Sequence, residues 1–289
     1  LWKPENYGKK FYGPSTLRTG VEKSRNLMTV RIAQNLGIKK IANFATELNI
    51  YNNPEELLSL SLGSSETTLL KLTTAYCSFV NGGKLINPKF IDRIQDSEGN
   101  TIFNSENREC EGCNKISYLS KKIPKIKNNF KQIMSKETAY QMTSILEGTV
   151  KRGTAKGLKD LNLDLGGKTG TTNKNTDTWF VGFSSNYVIG IYVGYDEPSS
   201  LGRYETGSRT AMPIFKNFVK KVVKKNNARP FKIPQGIKML VVNYKTGERA
   251  SYNDESIIIE AFKEKDLVNN KIQYGNIDYI SKENIYKFY

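Results

Sequence analysis

Two short clusters in this 289-residue sequence carry the residue types of an active-site wall. The denser one is Gly166-Gly167-Lys168-Thr169-Gly170-Thr171-Thr172, followed by the apolar run Asp177-Thr178-Trp179-Phe180-Val181-Gly182-Phe183. On a strand, alternation places Thr169 and Thr171 on one face and Lys168 and Gly170 on the other. Two neighbouring hydroxyls can hold a substrate carboxylate, and a lysine close by adds positive field. Gly170 lets another backbone approach, and the free N–H groups of an edge strand can point at a developing oxyanion. The second cluster, Ser24-Arg25-Asn26, lies far upstream. The bland alternative for the first is a glycine-rich strand entry with a solvated lysine, and the second, taken singly, reads as a polar helix start.

Composition narrows the chemistry. The sequence contains no histidine, which removes Ser-His-Asp, Cys-His and His-ligated metal mechanisms and leaves acid-base work to Lys, Tyr, Asp, Glu and hydroxyls. Forty-four basic against 28 acidic residues give a formal charge of +16, which favours a polyanionic partner without choosing one. The densest basic segment, Lys216 to Lys225, also has Phe215, Phe218, Val219, Val222 and Val223 at helical spacing, so a solvated helix face explains it better than a nucleic-acid site. Cys77 sits among Leu69, Thr73, Tyr76 and Val80 and reads as a small buried thiol. Cys110 and Cys113 form a lone C-x-x-C; zinc would need two more ligands, so the pair reads as a local disulfide or as two reduced surface thiols, and no metal or cofactor is expected. No apolar run reaches the ~20 residues of a membrane helix. The opening Leu1-Trp2-Lys3-Pro4 reads as the middle of a longer protein, with any export signal or anchor upstream.

The elements that must position the clusters suggest an α+β body. Trp2 to Gly13 reads as an extended docking segment. Helical spacing follows from Pro14 to Gly37, with Ser24-Arg25-Asn26 inside this first helical region, then around Ile41 to Leu48, and from about Glu66 to Val80 with Ser64 or Ser65 as cap. A hairpin is expected around Asp96 to Asn100, a loop or insertion over 104–131, and a helix capped by Ser135. The runs Thr178 to Phe183 and Tyr187 to Tyr195 are joined by a tight turn and should pair antiparallel, with the helix Ala211 to Lys225 laid on them. Arg229 to Pro234 reads as a linker to an extension over 229–289, which carries two more β-like runs. The boundaries are thus 1–228, with a helical part over 14–82 and a sheet part over 160–225, and 229–289.

Taken together, the clusters resemble a known family. A Ser-x-Asn followed by Lys-Thr-Gly is the motif order of penicillin-recognising serine enzymes. Trp2-x-Pro4-x-Asn6-Tyr7, Gly13 to Leu17, Ser24-Arg25-Asn26, Gly167 to Thr172, Asp177-x-Trp179-Phe180-Val181-Gly182 and Ala211-Met212-Pro213-Ile214-Phe215 are similar, in order, to the transpeptidase domain of class A, bifunctional penicillin-binding proteins. The likeness covers most of residues 1 to about 247. It implies the penicillin-binding transpeptidase, serine β-lactamase-like fold, with a helical subdomain beside a five-stranded antiparallel sheet flanked by helices. It also implies an address on the outer side of the cytoplasmic membrane.

The resemblance further implies roles. Ser24 would relay a proton, Asn26 would bind the acyl donor's amide, and Lys168 would tune Ser24. Thr169 and Thr171, with Gly170 and Thr172 in the same wall, would hold the carboxylate of a D-Ala-D-Ala stem peptide or a β-lactam. The backbone N–H of Thr171 would give half of the oxyanion hole. One departure is large: no Ser-x-x-Lys occurs anywhere in the sequence. In the family the nucleophile precedes the Trp-x-Pro segment, so the serine, and the first sheet strands, are expected upstream of Leu1, leaving the fold incomplete at its N-terminus and this fragment alone inactive. The alternatives are a serine β-lactamase-like hydrolase and a non-catalytic wall-binding module, with a basic nucleic-acid binder, for which no motif is present, a distant further one.

Overall fold

The computed structural model describes residues 2–105, 108, 110–111, 125–127, 129–223 and 229–269. Helix α1 (Leu17–Glu22) starts where the Thr16 hydroxyl accepts the Thr19 N–H, and it stops short of Ser24. Helix α2 (Asn26–Leu36) follows, and Gly37, at φ 88°, turns the chain into α3 (Ile38–Glu47). The first helical region expected from Pro14 to Gly37 is therefore two helices, with Ser24 at the break between them. Helix α4 (Leu69–Val80) begins later than its periodicity suggested, because Thr68 and not Ser64 or Ser65 accepts the Lys71 N–H.

Strands β1 (Arg93–Gln95) and β2 (Thr101–Asn104) form the expected hairpin, its turn fastened by Asp96 accepting the N–H groups of Glu98 and Asn100. A short antiparallel pair, β3 (Cys110–Glu111) with β4 (Lys125–Ile126), lies in the stretch read as an insertion. Helix α5 (Lys136–Lys151) is capped by Ser135, whose hydroxyl accepts the Thr138 N–H.

The sheet consists of β5 (Gly166–Thr171), β6 (Asp177–Phe183) and β7 (Val188–Gly194), antiparallel and in that order. Among the described residues it has three strands where the family resemblance implies five. Its two faces are told apart by glycines. A Cβ on Gly182 would come within 2.6 Å of the Phe215 ring, so that face meets α6 (Ala211–Val222) at close range. On the opposite face, a Cβ on Gly190 would sit 2.0 Å from Thr73 of α4, and one on Gly166 would press on Phe183 and the α5 backbone.

Phe180 and Phe215 meet edge to face at 4.9 Å in a core shared with Leu158, Leu165, Met212 and Val219. Only part of the apolar stripe expected on α6 is buried: Phe218 and Val222 stay exposed. Strands β8 (Ile237–Asn243) and β9 (Ile257–Lys263) pair as a separate hairpin, and α7 (Glu264–Asn269) follows. The segment read as a linker is packed, since Phe231 sits against Phe183 at 5.6 Å. The hairpin docks on α5, where the Gln141 side-chain amide donates to the Ala261 carbonyl at 2.9 Å.

Thr178 of β6 is fully buried, and its hydroxyl finds no hydrogen-bond partner among the described residues. A buried unpaired hydroxyl costs about 1–3 kcal/mol, and valine keeps its shape without it. Thr178→Val should therefore raise unfolding stability by about 1 kcal/mol in urea denaturation. A destabilised variant would show that the hydroxyl is satisfied in solution.

Candidate active site

The break between α1 and α2 brings the two sequence clusters together. Ser24 occupies the left-handed region at φ 52°, its N–H donating to Val21 O at 3.1 Å while Arg25 N–H reaches Gly20 O at 2.9 Å. In this conformation its hydroxyl faces β5, where Lys168 Nζ donates to Ser24 Oγ at 2.7 Å and to the Thr169 carbonyl at 2.9 Å. Burial pulls Lys168 down from the ordinary lysine range to about 8, because a charged ammonium is poorly solvated there. The lysine donates to the serine oxygen, so the serine's own proton remains free to be given away.

The rest of the β5 wall is arranged less uniformly than alternation suggested. Thr172 N–H donates to Asp177 O at 3.1 Å, which fixes the phase of the ladder. By that alternation the N–H groups of Thr169 and Thr171 point away from β6, toward the open edge of the sheet. Thr171 is exposed, and its oxygen accepts the Gly207 N–H at 3.0 Å, leaving its O–H as a donor. Gly207 lies close over the strand pair: a Cβ there would be 2.6 Å from Gly170 O and 2.5 Å from Trp179 O. The close backbone approach read at Gly170 is thus made by Gly207.

Thr169 is engaged elsewhere, with its hydroxyl 3.1 Å from that of Thr154. Thr172 closes the turn into β6 by bonding Thr176 and accepting the Asp177 N–H. Asn26 does not join the Ser24–Lys168 pair; its amide donates to the Glu5 carbonyl at 2.9 Å. The N-terminal segment is seated there, with the Asn6 side chain accepting the Leu27 N–H and Arg25 stacked 3.9 Å over the Tyr12 ring. Cys110 is disulfide-bonded, and its expected partner Cys113 lies outside the described residues. Cys77 is a free, half-buried thiol pushed up by burial. Among the described residues no group of ligands suited to a metal is present.

Sequence reasoning missed the charged cluster directly behind Ser24. Glu22, at the end of α1, has no solvent exposure. Its carboxylate accepts two bonds from Arg152, at 3.1 and 2.6 Å, one from Arg18 at 3.3 Å and one from the Tyr244 hydroxyl at 3.0 Å. Arg18 in turn forks onto Glu260 of β9 and donates to Ser144 of α5. The Glu22 carbonyl accepts the Thr154 N–H at 3.1 Å, and Lys23 Nζ donates to the Arg152 carbonyl. Four-residue spacing of Arg18 and Glu22 was a visible signal, but an i,i+4 pair on a helix ordinarily marks a solvated face.

With this arrangement in view, the class of the protein follows: residues 2–220 match the penicillin binding protein transpeptidase domain, and the chain belongs to that family. It is 42% identical over 293 residues to penicillin-binding protein 1A of Rickettsia conorii, covering 98% of this chain and 37% of the relative. The solved structure of penicillin-binding protein 1A from Haemophilus influenzae superimposes with a TM-score of 0.78 at 30% identity, covering 91% of this chain and 42% of that one. The structure of PonA1 from Mycobacterium tuberculosis in complex with penicillin V shares the fold, with a TM-score of 0.62 at 19% identity over 80% of this chain and 62% of that one. The chain spans little more than a third of the length of these curated relatives. Among the described residues no helix is long and apolar enough to cross a membrane.

A lysine depressed to about 8 opposes folding, because the unfolded chain keeps it charged up to the ordinary lysine range. The penalty is complete below pH 8 and is relieved as pH rises through about 8 to about 10.4. Lys168→Met should accordingly melt above the wild type at pH 7, and the gap should shrink across that interval. A gap that is absent, or constant from pH 7 to 10, would show that Lys168 titrates normally.

Proposed function

We propose that this chain is the substrate-holding part of a D,D-transpeptidase that cross-links peptidoglycan stem peptides. The observation that carries the reading is the 2.7 Å contact from Lys168 to Ser24, with the lysine depressed to about 8. The reaction needs a nucleophilic serine, and the 289 residues contain no Ser-x-x-Lys spacing; that serine belongs to sequence outside them. Its proton passes to a base in that same outside sequence as its oxygen attacks the carbonyl of a D-Ala-D-Ala stem, forming an acyl-enzyme and expelling D-Ala; an amine of a neighbouring stem then takes the acyl group, and the base returns the proton to the serine oxygen.

Each residue of the site has a task in that sequence. Thr171 O–H, aided by the Lys168 charge, holds the terminal carboxylate, and the outward N–H of Thr171 meets the oxyanion. Ser24 gives its proton to the departing amine and is refilled from Lys168, which is left neutral. In the second half the acceptor amine returns a proton through Ser24 to Lys168. A β-lactam enters the same path, its ring nitrogen taking the place of the leaving amine. Asn26 binds the donor amide once the Glu5 carbonyl is released from it. The substrate places the site on the outer side of the cytoplasmic membrane. The disulfide at Cys110 supports that address, because such bonds persist in oxidising compartments.

Labelling with a fluorescent penicillin, with the adduct located by mass spectrometry in the protein extended upstream of Leu1, tests the proposal. Stable acylation of an upstream serine is the expected outcome. Rapid turnover of the adduct would favour a serine β-lactamase-like hydrolase, and no adduct would favour a wall-binding module. Both the relay and the carboxylate contact need charged Lys168, so acylation should fall as pH rises through about 8. A rate flat from pH 7 to 9 contradicts this role.

A further inference from the structure

The C-terminal hairpin has no part in the reaction as derived above, yet it reaches the site through two half-buried side chains. Tyr244, just after β8, donates its hydroxyl to Glu22 at 3.0 Å, and its ring lies 5.5 Å from the Arg152 guanidinium. Glu260 of β9 receives both prongs of Arg18, whose remaining bonds go to Ser144 and Glu22. Neither contact is on the surface: Arg18 is 4% exposed and Glu22 is fully buried.

From Glu22 the chain runs two residues to Ser24, and each step is held. The Glu22 side chain is fixed by the arginines and Tyr244, its carbonyl by Thr154, Lys23 by the Arg152 carbonyl, and Ser24 by Lys168. Thr154 also meets Thr169 of β5, so the same cluster sets both sides of the Ser24–Lys168 contact. There is no slack in the packing: a Cβ on Gly148 would lie 1.8 Å from a Glu22 carboxylate oxygen, and one on Gly153 would lie 2.2 Å from the Glu22 carbonyl.

We infer that the β8–β9 hairpin is part of the active-site apparatus, with Tyr244 and Glu260 acting as positioning residues that hold Ser24 against Lys168 through Glu22 and Arg18. The extension is therefore an internal brace whose removal disorders the proton path while leaving the sheet and its core in place. The inference rests on the proposed function only for the meaning of the Ser24–Lys168 pair.

The test uses Tyr244→Phe, Glu260→Gln and the double variant, with Lys245→Ala at the exposed hairpin turn as control. The reactivity of each lysine toward acetic anhydride is followed by peptide mass spectrometry from pH 6 to 11. In the wild type Lys168 should react with a midpoint of about 8. In Tyr244→Phe and Glu260→Gln water reaches the loosened pair, and the midpoint should rise by roughly half a unit or more, further in the double variant, with the protein still folded by circular dichroism. In the protein carrying the upstream serine, penicillin acylation at pH 7 should slow by about tenfold, as expected for a misplaced proton donor. The control should match the wild type in both readouts. Folded variants with lower melting temperatures but an unchanged Lys168 midpoint and unchanged acylation would overturn the inference, because that is what a merely structural hairpin does. A wild-type protein that penicillin fails to label would sink the transpeptidase reading alone, since lysine reactivity reads the brace without it.

Discussion

A carboxylate sealed from solvent holds this chain's distant parts in register. Isolated in a low-dielectric interior, Glu22 would be intolerable; the cost of stripping water from a carboxylate is several kcal/mol even after relaxation. It is tolerated because Arg152, Arg18 and Tyr244 supply hydrogen bonds to both oxygens. Such a cluster is poor evidence of net stabilisation, since well-packed apolar residues can often replace it at no loss. What it does impose is geometry. Four bonds in fixed directions, coming from α1, α5 and the end of β8, can be satisfied together in only one arrangement of those elements.

That arrangement is what permits Ser24 its backbone. A non-glycine residue in the left-handed region costs roughly 1–2 kcal/mol. The conformation persists only where the surroundings over-determine it. Here they do, through the Thr154 N–H on the Glu22 carbonyl, Lys23 on Arg152, and Lys168 on the serine itself. The same confinement depresses Lys168, because the space that keeps the serine in place also keeps water from the ammonium. Strain, burial and a shifted lysine are thus linked consequences of one packed junction. In a histidine-free chain, a desolvated lysine is the group with the mid-range pKa that the proposed proton transfer needs and that imidazole provides elsewhere.

Much of this was legible from residue types and spacing, and what was not has a common cause. Lys-Thr-Gly on a strand beside an apolar partner strand is a local pattern, so the β5–β6 ladder and the outward N–H of Thr171 could be anticipated. The Ser-x-Asn cluster could be named, but its setting could not. The periodicity on either side of Ser24 is helical, and nothing local announces that the residue itself leaves the helix. Pairing Thr169 with Thr171 followed from strict alternation, which says nothing of Thr154 arriving across the edge to take the first hydroxyl. Least legible was the Glu22 cluster. Arg18, Glu22, Arg152, Tyr244 and Glu260 are ordinary surface residue types, separated by as much as 242 positions, and only the docking of the hairpin turns them inward. The α4 cap shows the same limit on a small scale, since Ser64, Ser65 and Thr68 are all chemically competent and it is Thr68 that accepts the Lys71 N–H.

The measurement closest to the central claim, that Ser24 and Lys168 form the proton path of an acyl-transfer site walled by β5, is a crystal structure of the protein together with the nucleophile segment proposed above, acylated by benzylpenicillin. The adduct's carboxylate should lie within hydrogen-bond distance of Thr171 Oγ1, with Ser24 Oγ between Lys168 Nζ and the former lactam nitrogen. The acyl oxygen should face the Thr171 N–H. An adduct whose carboxylate sits away from β5, or a Ser24 hydroxyl turned from Lys168 with the lysine in solvent, would contradict the account.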